Sequence, residues 1–345
     1  METKVKTCKS KSVLTRRQTE AAILLIKSTF EENLIKKLHL EKVSAPLAVK
    51  AGTGINDDLN GVEKPVSFSL KNAENIQCEV VQSLAKWKRL RLKELSIEPG
   101  NGILTNMQAL RPDETLSLIH SIYVDQWDWE VNIDYKERNI ELLKETVNKI
   151  YAAIKESEMI IYEEYPRIYP KLPDKIHFIH AEELRKRYPD KSPIERENAI
   201  TKKHKAVFVI GIGYPLGDGE PHDGRAPDYD DWSSENDYGS KGLNGDILLW
   251  NPELEKTFEI SSMGIRVDKT SLIRQLKLTG CEEWQRLYFH KQILNYRIPN
   301  SIGGGIGQSR LCMFLLKKAH IGEVQPGIWP DWMTKKYNNM GINLL

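Results

Sequence analysis

A chain of 345 residues with 50 Lys and Arg against 48 Asp and Glu carries a formal net charge of +2, which gives no electrostatic case for a nucleic-acid or membrane partner. The length allows roughly two domains of about 150 residues or one large α/β unit. Cys8, Cys78, Cys281 and Cys312 lie far apart with no C-x-x-C, a pattern that suits a reducing compartment better than a zinc site or a disulfide framework. The basic N-terminus has no signal-like apolar region, and the run 21–26 is far shorter than the roughly 20 residues of a membrane span. Cytoplasm is the expected location.

In chain order, Thr15 is placed to cap a helix over 15–40, with Ile23, Ile26, Phe30, Leu34 and Leu38 recurring at three- and four-residue steps. Pro46 and small residues then end a short strand in a loop, and 62–82 partly alternates. "SLAKWKRLRLKEL" (83–95) returns to helical spacing with a basic face, read as a solvated helix face in preference to an RNA contact. Residues 101–131 predict two strands joined by a loop holding Arg111, Pro112, Asp113 and Glu114. A long amphipathic helix over about 136–160 follows, with Ile140, Leu143, Val147, Ile150, Tyr151 and Ile154 as its buried stripe. The remainder alternates strands with one further helix around 269–294 and a final helix after 307. The simplest assembly is an N-terminal tail (1–14) and a single catalytic domain (15–345), α/β of the α+β type, built on a mainly antiparallel sheet flanked by helices.

No segment satisfies the Walker A pattern, and in "VFVIGIGYPLGDG" Gly217 falls one residue late for a dinucleotide fingerprint. "GGGIGQSR" differs from both: Gly303, Gly304 and Gly305 permit close backbone approach, and Arg310 lies about one helical turn after Gly307. Such an arginine can cover a base or pair with phosphate oxygens; a glycine-rich helix start with a surface arginine is the plainer alternative. "GDILLWNPELEKTFEISSMGIRV" reads as a hairpin. A turn symmetric about Pro252 and Glu253 sets Asp246 directly opposite Glu259, a repulsive pair unless a cation bridges it; a solvent-exposed pair in another register is the alternative. In "DGRAPDYDDW" most of Asp223, Asp228, Asp230 and Asp231 read as hydrated turn residues, one or two being free to recognise an ammonium group. Strand period puts Gln126 and Asp128 on one face of "YVDQWDWE".

Together "SLAKWKR", "ALRPDE", "YVDQWDWE", "RAPDYDDW", "GLNGDI", "SSMGIRV" and "GGGIGQSRL" resemble the ammonia-dependent aspartate–ammonia ligases, the A-type asparagine synthetases, in order over almost the whole chain. The resemblance implies the catalytic fold of class II aminoacyl-tRNA synthetases and a homodimer built on the helix ending near Leu40 and the strand reaching Pro46. It implies that Arg111 holds the α-phosphate and the activated carboxylate, and that Arg310 lies beside adenine and the triphosphate. Gly303, Gly304, Gly305 and Gly307 would clear space for the nucleotide, with Lys86 and Arg266 near it. Asp246 and Glu259 would surround Mg²⁺. Asp57, Gln126, Asp128, Asp230 and Ser262 would form the aspartate pocket, with Asp57, Arg111, Arg310 and Lys86 as catalytic residues. One departure lies in "GTGINDDL" (52–59), where Thr53 and Asp58 replace the Asp and Asn often found in the family's G-D-G-T-x-D-N-L.

The resemblance implies ATP-dependent amidation of L-aspartate through β-aspartyl-AMP, giving asparagine, AMP and pyrophosphate, with Asp57 foremost and Asp230 second as proton acceptor from ammonium. Free ammonia is the expected nitrogen donor, because the chain leaves no room for an amidase domain. Two alternatives are an aspartyl- or asparaginyl-tRNA synthetase-like transferase and an inactive synthetase-like binding protein that regulates a partner. The first is disfavoured by the early start of the core, the second by retention of Arg111, Arg310, Asp246 and Glu259.

Overall fold

A computed structural model describes residues 13–57, 63–236 and 239–345; Asp58 and nearly all of the predicted N-terminal tail lie outside them. The chain begins with α1 (Arg16–Leu38), whose Thr15 hydroxyl accepts from the Gln18 amide while the Gln18 side chain accepts from the Thr15 amide. This reciprocal capping satisfies two N–H groups that a helix start leaves unpaired. Short strands β1 (Leu40–Lys42) and β2 (Ala48–Lys50) follow, then β3 (Ser67–Leu70), β4 (Ile76–Val80) and α2 (Ala85–Glu94). The long hairpin of β5 (Gly102–Leu110) and β6 (Tyr123–Ile133) leads to α3 (Ile140–Glu164). Next come β7 (His177–His180), α4 (Ala181–Arg187), α5 (Pro193–His204) and β8 (Ala206–Ile210). The C-terminal third contains β9 (Asn244–Asn251), β10 (Lys256–Ile265), α6 (Lys269–Thr279), α7 (Tyr288–Leu294), β11 (Asn300–Gly307), α8 (Gln308–Leu315) and α9 (Asp331–Asn339).

Eight strands form one sheet in the order β1-β5-β6-β11-β10-β9-β8-β7. Its two outermost pairings are parallel and those between them antiparallel. The other three strands form a small antiparallel sheet, β2-β4-β3. The buried stripes of α1 and α3 cover one face of the large sheet. Phe30, Leu34, Val147 and Ile150 share a core with Trp127, Trp129, Met263 and Ile306, and the Phe30 and Trp127 ring centroids lie 4.6 Å apart. Burying each such large apolar side chain contributes about 1.5–3 kcal/mol. On the opposite face, Leu184 and Ile200 cover Val207, Val209 and Leu248 near the β7 edge. The central strands on that side line an open cavity.

Several elements differ from the sequence expectations. The helix expected over 269–294 is split: Gly280 takes a left-handed C-cap with φ 69°, and a 3₁₀ turn over Glu282–Arg286 separates α6 from α7. Helices α4 and α5 occupy a stretch read from its strands alone, and α9 follows the helix expected to be last. The basic helix α2 is not solvated: Lys86, Lys88 and Arg89 are buried. Each cation has an oxygen partner, so the charges are directed inward.

Candidate active site

The sheet cavity has a volume of about 420 Å³. Strand β6 brings Gln126 and Asp128 to it, two residues apart and therefore on one face, while Trp127 and Trp129 point into the core. Strand β11 lies beside β6 with Gly304 opposite Trp129 and Gly305 opposite Asp128. The glycines expected as a loop are thus strand residues paired on both sides, since Gly303, Gly304 and Gly305 also face Gly264, Met263 and Ser262 of β10. Side chains here would force their neighbours to move. A Cβ on Gly303 would lie 1.8 Å from a Glu130 carboxylate oxygen, and one on Gly305 would lie 2.5 Å from the Gln126 side-chain oxygen.

Charged side chains converge on this floor. From α2, the Lys88 ammonium reaches Asp128 at 2.5 Å and donates to the Gly304 carbonyl at 2.8 Å. Burial pulls the Lys88 ammonium below its usual range, with Asp128 opposing. The other Asp128 oxygen is buried without a partner among the described residues. At the end of β10, Arg266 bonds Glu130 at 2.8 Å and Asp230 at 2.5 Å. Burial raises Asp230 even against Arg266 and Arg225. A buried acceptor beside paired charges is suited to an ammonium group, which would supply the missing donor.

Toward the other end, past the Leu110–Tyr123 pair, two arginines line the cavity together with Glu114 and Glu259. Arg111, immediately after β5, donates through Nε and Nη2 to the Gln82 carbonyl at 3.3 and 3.0 Å. Arg310, in the first turn of α8, donates to the Glu259 carbonyl at 3.1 Å, with a Glu259 carboxylate oxygen 3.7 Å away. His120 also lines this end. Burial first, then Arg310 and Lys256, holds its imidazole down to about 4, so it is neutral at neutral pH.

Asp246 and Glu259 are not opposite each other. The β9–β10 turn occupies 252–255, so Lys256 faces Asn251, and the register shifts between Glu259 and Ser261. Asp246 therefore faces Ser262 and Glu259 faces Leu248. The extra residue is a β-bulge, which changes the strand's side-chain parity. Phe258 and Ile260 reach the core before it, Met263 and Ile265 after it, so Glu259 and Ser262, three residues apart, both line the cavity. Asp246 itself does not line the cavity: it pairs with Arg225 at 2.5 Å and bonds Ser262. Its carboxyl is pushed up to about 7, chiefly by burial and further by the charges of Glu259 and Glu197, with Arg225 opposing.

Of the residues named from the sequence, Asp57, Arg111, Gln126, Asp128 and Asp230 line one cavity together with Glu259, Ser262, Arg266 and Arg310. Gly304, Gly305 and Gly307 do so as well. Gly303 instead lies against Glu130. Lys86 does not face the cavity: its ammonium bonds Asp228 at 2.8 Å, and Asp228 also meets His290 at 3.0 Å. Asp228, Asp230 and Asp231 are buried, contrary to their reading as hydrated turn residues. Sequence reasoning missed Lys88, Arg225, Tyr229 and His120, although "SLAKWKR" and "RAPDYDDW" contain the first three.

Comparisons with known proteins identify the family and the fold. A family model for aspartate–ammonia ligase matches residues 17–341. The aspartate–ammonia ligase of Bacteroides fragilis is 57% identical over 335 residues, covering 97% of both chains. Among solved structures, the asparaginyl-tRNA synthetase of Entamoeba histolytica superposes with a TM-score of 0.65 at 15% identity, over 90% of this chain and 67% of that one. The asparaginyl-tRNA synthetase of Pyrococcus horikoshii complexed with asparaginyl-adenylate gives 0.64 at 17% identity, over 91% of this chain and 70% of that one. The fold is therefore that of the class II synthetase catalytic core, and the chain belongs to the aspartate–ammonia ligase family.

Proposed function

We propose that the chain makes asparagine from aspartate and ammonia by way of β-aspartyl-AMP, with residues 15–345 acting as one catalytic unit in a cytoplasmic homodimer. The observation that carries this reading is the division of one cavity into two ends. At one end, Asp128 and Lys88 present complementary charges to a zwitterion, backed by Arg266 and Asp230. At the other, Arg111 and Arg310 supply cations for phosphates. A carboxylate is a poor electrophile, and ATP converts it into one: the β-carboxylate attacks the α-phosphorus, pyrophosphate leaves, and a mixed anhydride forms.

For that step the residues supply position and charge. Arg111 stabilises the α-phosphate as negative charge develops, and neutral His120 lies beside the cations without adding to them. Lys88, with Gln126, Asp128 and Ser262 and backed by Arg266, orients aspartate, while Gly305, Gly307 and Arg310 border the nucleotide. Glu259, which lines the cavity, would hold Mg²⁺, and Asp246 would join it by exchanging its bond to Arg225 for the ion. Among the described residues no three His, Cys, Asp or Glu side chains are grouped to hold a metal alone, and two carboxylates suit an ion that arrives with phosphates. Bound there, the ion would neutralise phosphate charge and supply a cation against the burial that chiefly raises Asp246 and the charge of Glu259 that adds to it. In the second step, ammonia attacks the β-carbonyl and AMP leaves; Asp57 accepts the proton that ammonium must give up, Asp230 being the second choice.

The test incubates the purified protein with Mg-ATP and L-aspartate, with and without ammonium or glutamine, and measures AMP, pyrophosphate and asparagine. AMP and asparagine in equal amounts with ammonium are expected. ADP in place of AMP, or asparagine formed only with glutamine, would sink the reading.

A further inference from the structure

Gln82 lies outside the cavity lining, is fully buried, and joins two parts of the site through different groups. Its backbone N–H donates to the Asn56 side-chain oxygen at 2.9 Å, and its side-chain Nε2 donates to the Asp57 carbonyl at 3.0 Å. Asn56 returns the contact by donating to the Val80 carbonyl at 3.2 Å and to Glu79 at 3.1 Å. The Gln82 peptide oxygen accepts both bonds from Arg111. A continuous set of hydrogen bonds therefore runs from the loop carrying Asp57, through Gln82, to Arg111.

We infer that Gln82 is a positioning residue for the ammonia half-reaction, its side chain fixing Asp57 while its peptide oxygen independently fixes Arg111. The inference rests on the adenylate reading and adds to it a division of labour within one residue. Any substitution keeps the peptide oxygen, so Arg111 and the adenylation step retain their support. Only the hold on Asp57 is lost. Gln82 Oε1 is buried without a partner among the described residues, so Gln82→Met, of similar length, removes the Nε2 bond to the Asp57 carbonyl and no bond to Oε1.

Aspartate-dependent exchange of pyrophosphate into ATP reports the first half-reaction, and kcat/KM for ammonium reports the whole. For Gln82→Met, kcat/KM for ammonium should fall about tenfold, while exchange and KM for ATP stay within about twofold. In an Asp57→Asn background the same substitution should cost less than about twofold, because the two changes disable one function. Gln82→Leu, which likewise lacks a donor for the Asp57 carbonyl, should show the same split and serves if the Met variant does not fold. Thermal unfolding of each variant separates loss of fold from loss of positioning. Equal costs in both backgrounds, or parallel losses in exchange and ammonium use, overturn the inference while wild-type exchange stands. Absence of exchange in the wild type would remove the adenylate reading and the inference with it.

Discussion

Lys88 and Asp128 are each nearly fully buried and hold one another at 2.5 Å. Removing one member of such a pair leaves an uncompensated charge, at a cost of about 3–5 kcal/mol. Lys88→Met should therefore lower the unfolding midpoint and raise KM for aspartate more than KM for ATP, as steady-state kinetics with each substrate varied would show. Equal changes in both KM values would place Lys88 in the fold alone. Arg111 makes the opposite case, since it is half-buried and its side-chain hydrogen bonds among the described residues run to a single carbonyl, to which water can donate in its place. Arg111→Ala should leave stability near wild type and lower the rate of pyrophosphate exchange by about 10²–10³-fold. Lys86 shows where residue reasoning stops. Positions two apart on a helix face nearly opposite ways, so "KWK" contains one lysine for the cavity and one for Asp228, and nothing in the local sequence says which is which. The same holds for Arg225, whose partner Asp246 lies 21 residues away in β9.

At the scale of elements, amphipathic segments were legible. The stripes of α1 and α3 and the β5–β6 hairpin follow from spacing and caps alone. Strand β11 was not, because glycine disfavours strands and only its crowded neighbours explain its presence. The neighbours differ in what they permit. At Gly303 the obstacle is Glu130, fixed by bonds to Arg266 and Ser301; at Gly305 it is the end of the Gln126 side chain. Gly303→Ala should thus destabilise the fold by about 1–3 kcal/mol, measured by denaturant unfolding. Gly305→Ala should fold normally and show a raised KM for aspartate, because Gln126 must move within the cavity. The hairpin register was half legible: the turn signal in "NPEL" located the loop, but a bulge has no reliable sequence mark, so Asp246 was set against the wrong partner.

Across the whole molecule, the C-terminal region buttresses the loop that carries Arg111. Leu116 and Leu118 pack with Ala319, Met333, Tyr337 and Ile342, and the Ile321 amide donates to the Leu118 carbonyl. His320 is buried there between Trp329 and Tyr337, with ring centroids 4.8 and 4.4 Å away, and burial holds its imidazole down to about 4. The unfolded chain takes up a proton near 6.5, the folded chain only near 4, so this histidine's contribution is complete above about pH 6.5 and is lost as pH falls toward 4. His320→Phe does not titrate. The stability gap between wild type and variant, from unfolding curves at pH 7 and pH 5, should narrow at the lower pH; an unchanged gap would mean that His320 is not buried neutral.

The bulge between Glu259 and Ser261 also determines which changes of length the chain can absorb. An insertion in the 252–255 turn enlarges a surface loop, at a cost that grows only slowly with its length. Deleting one residue at the bulge would restore regular alternation, forcing either Glu259 away from the cavity or Phe258 out of the core. Two sites a few residues apart on one hairpin thus differ sharply: at the turn the count of residues is free to drift, and at the bulge it is as constrained as the identity of any side chain in the cavity.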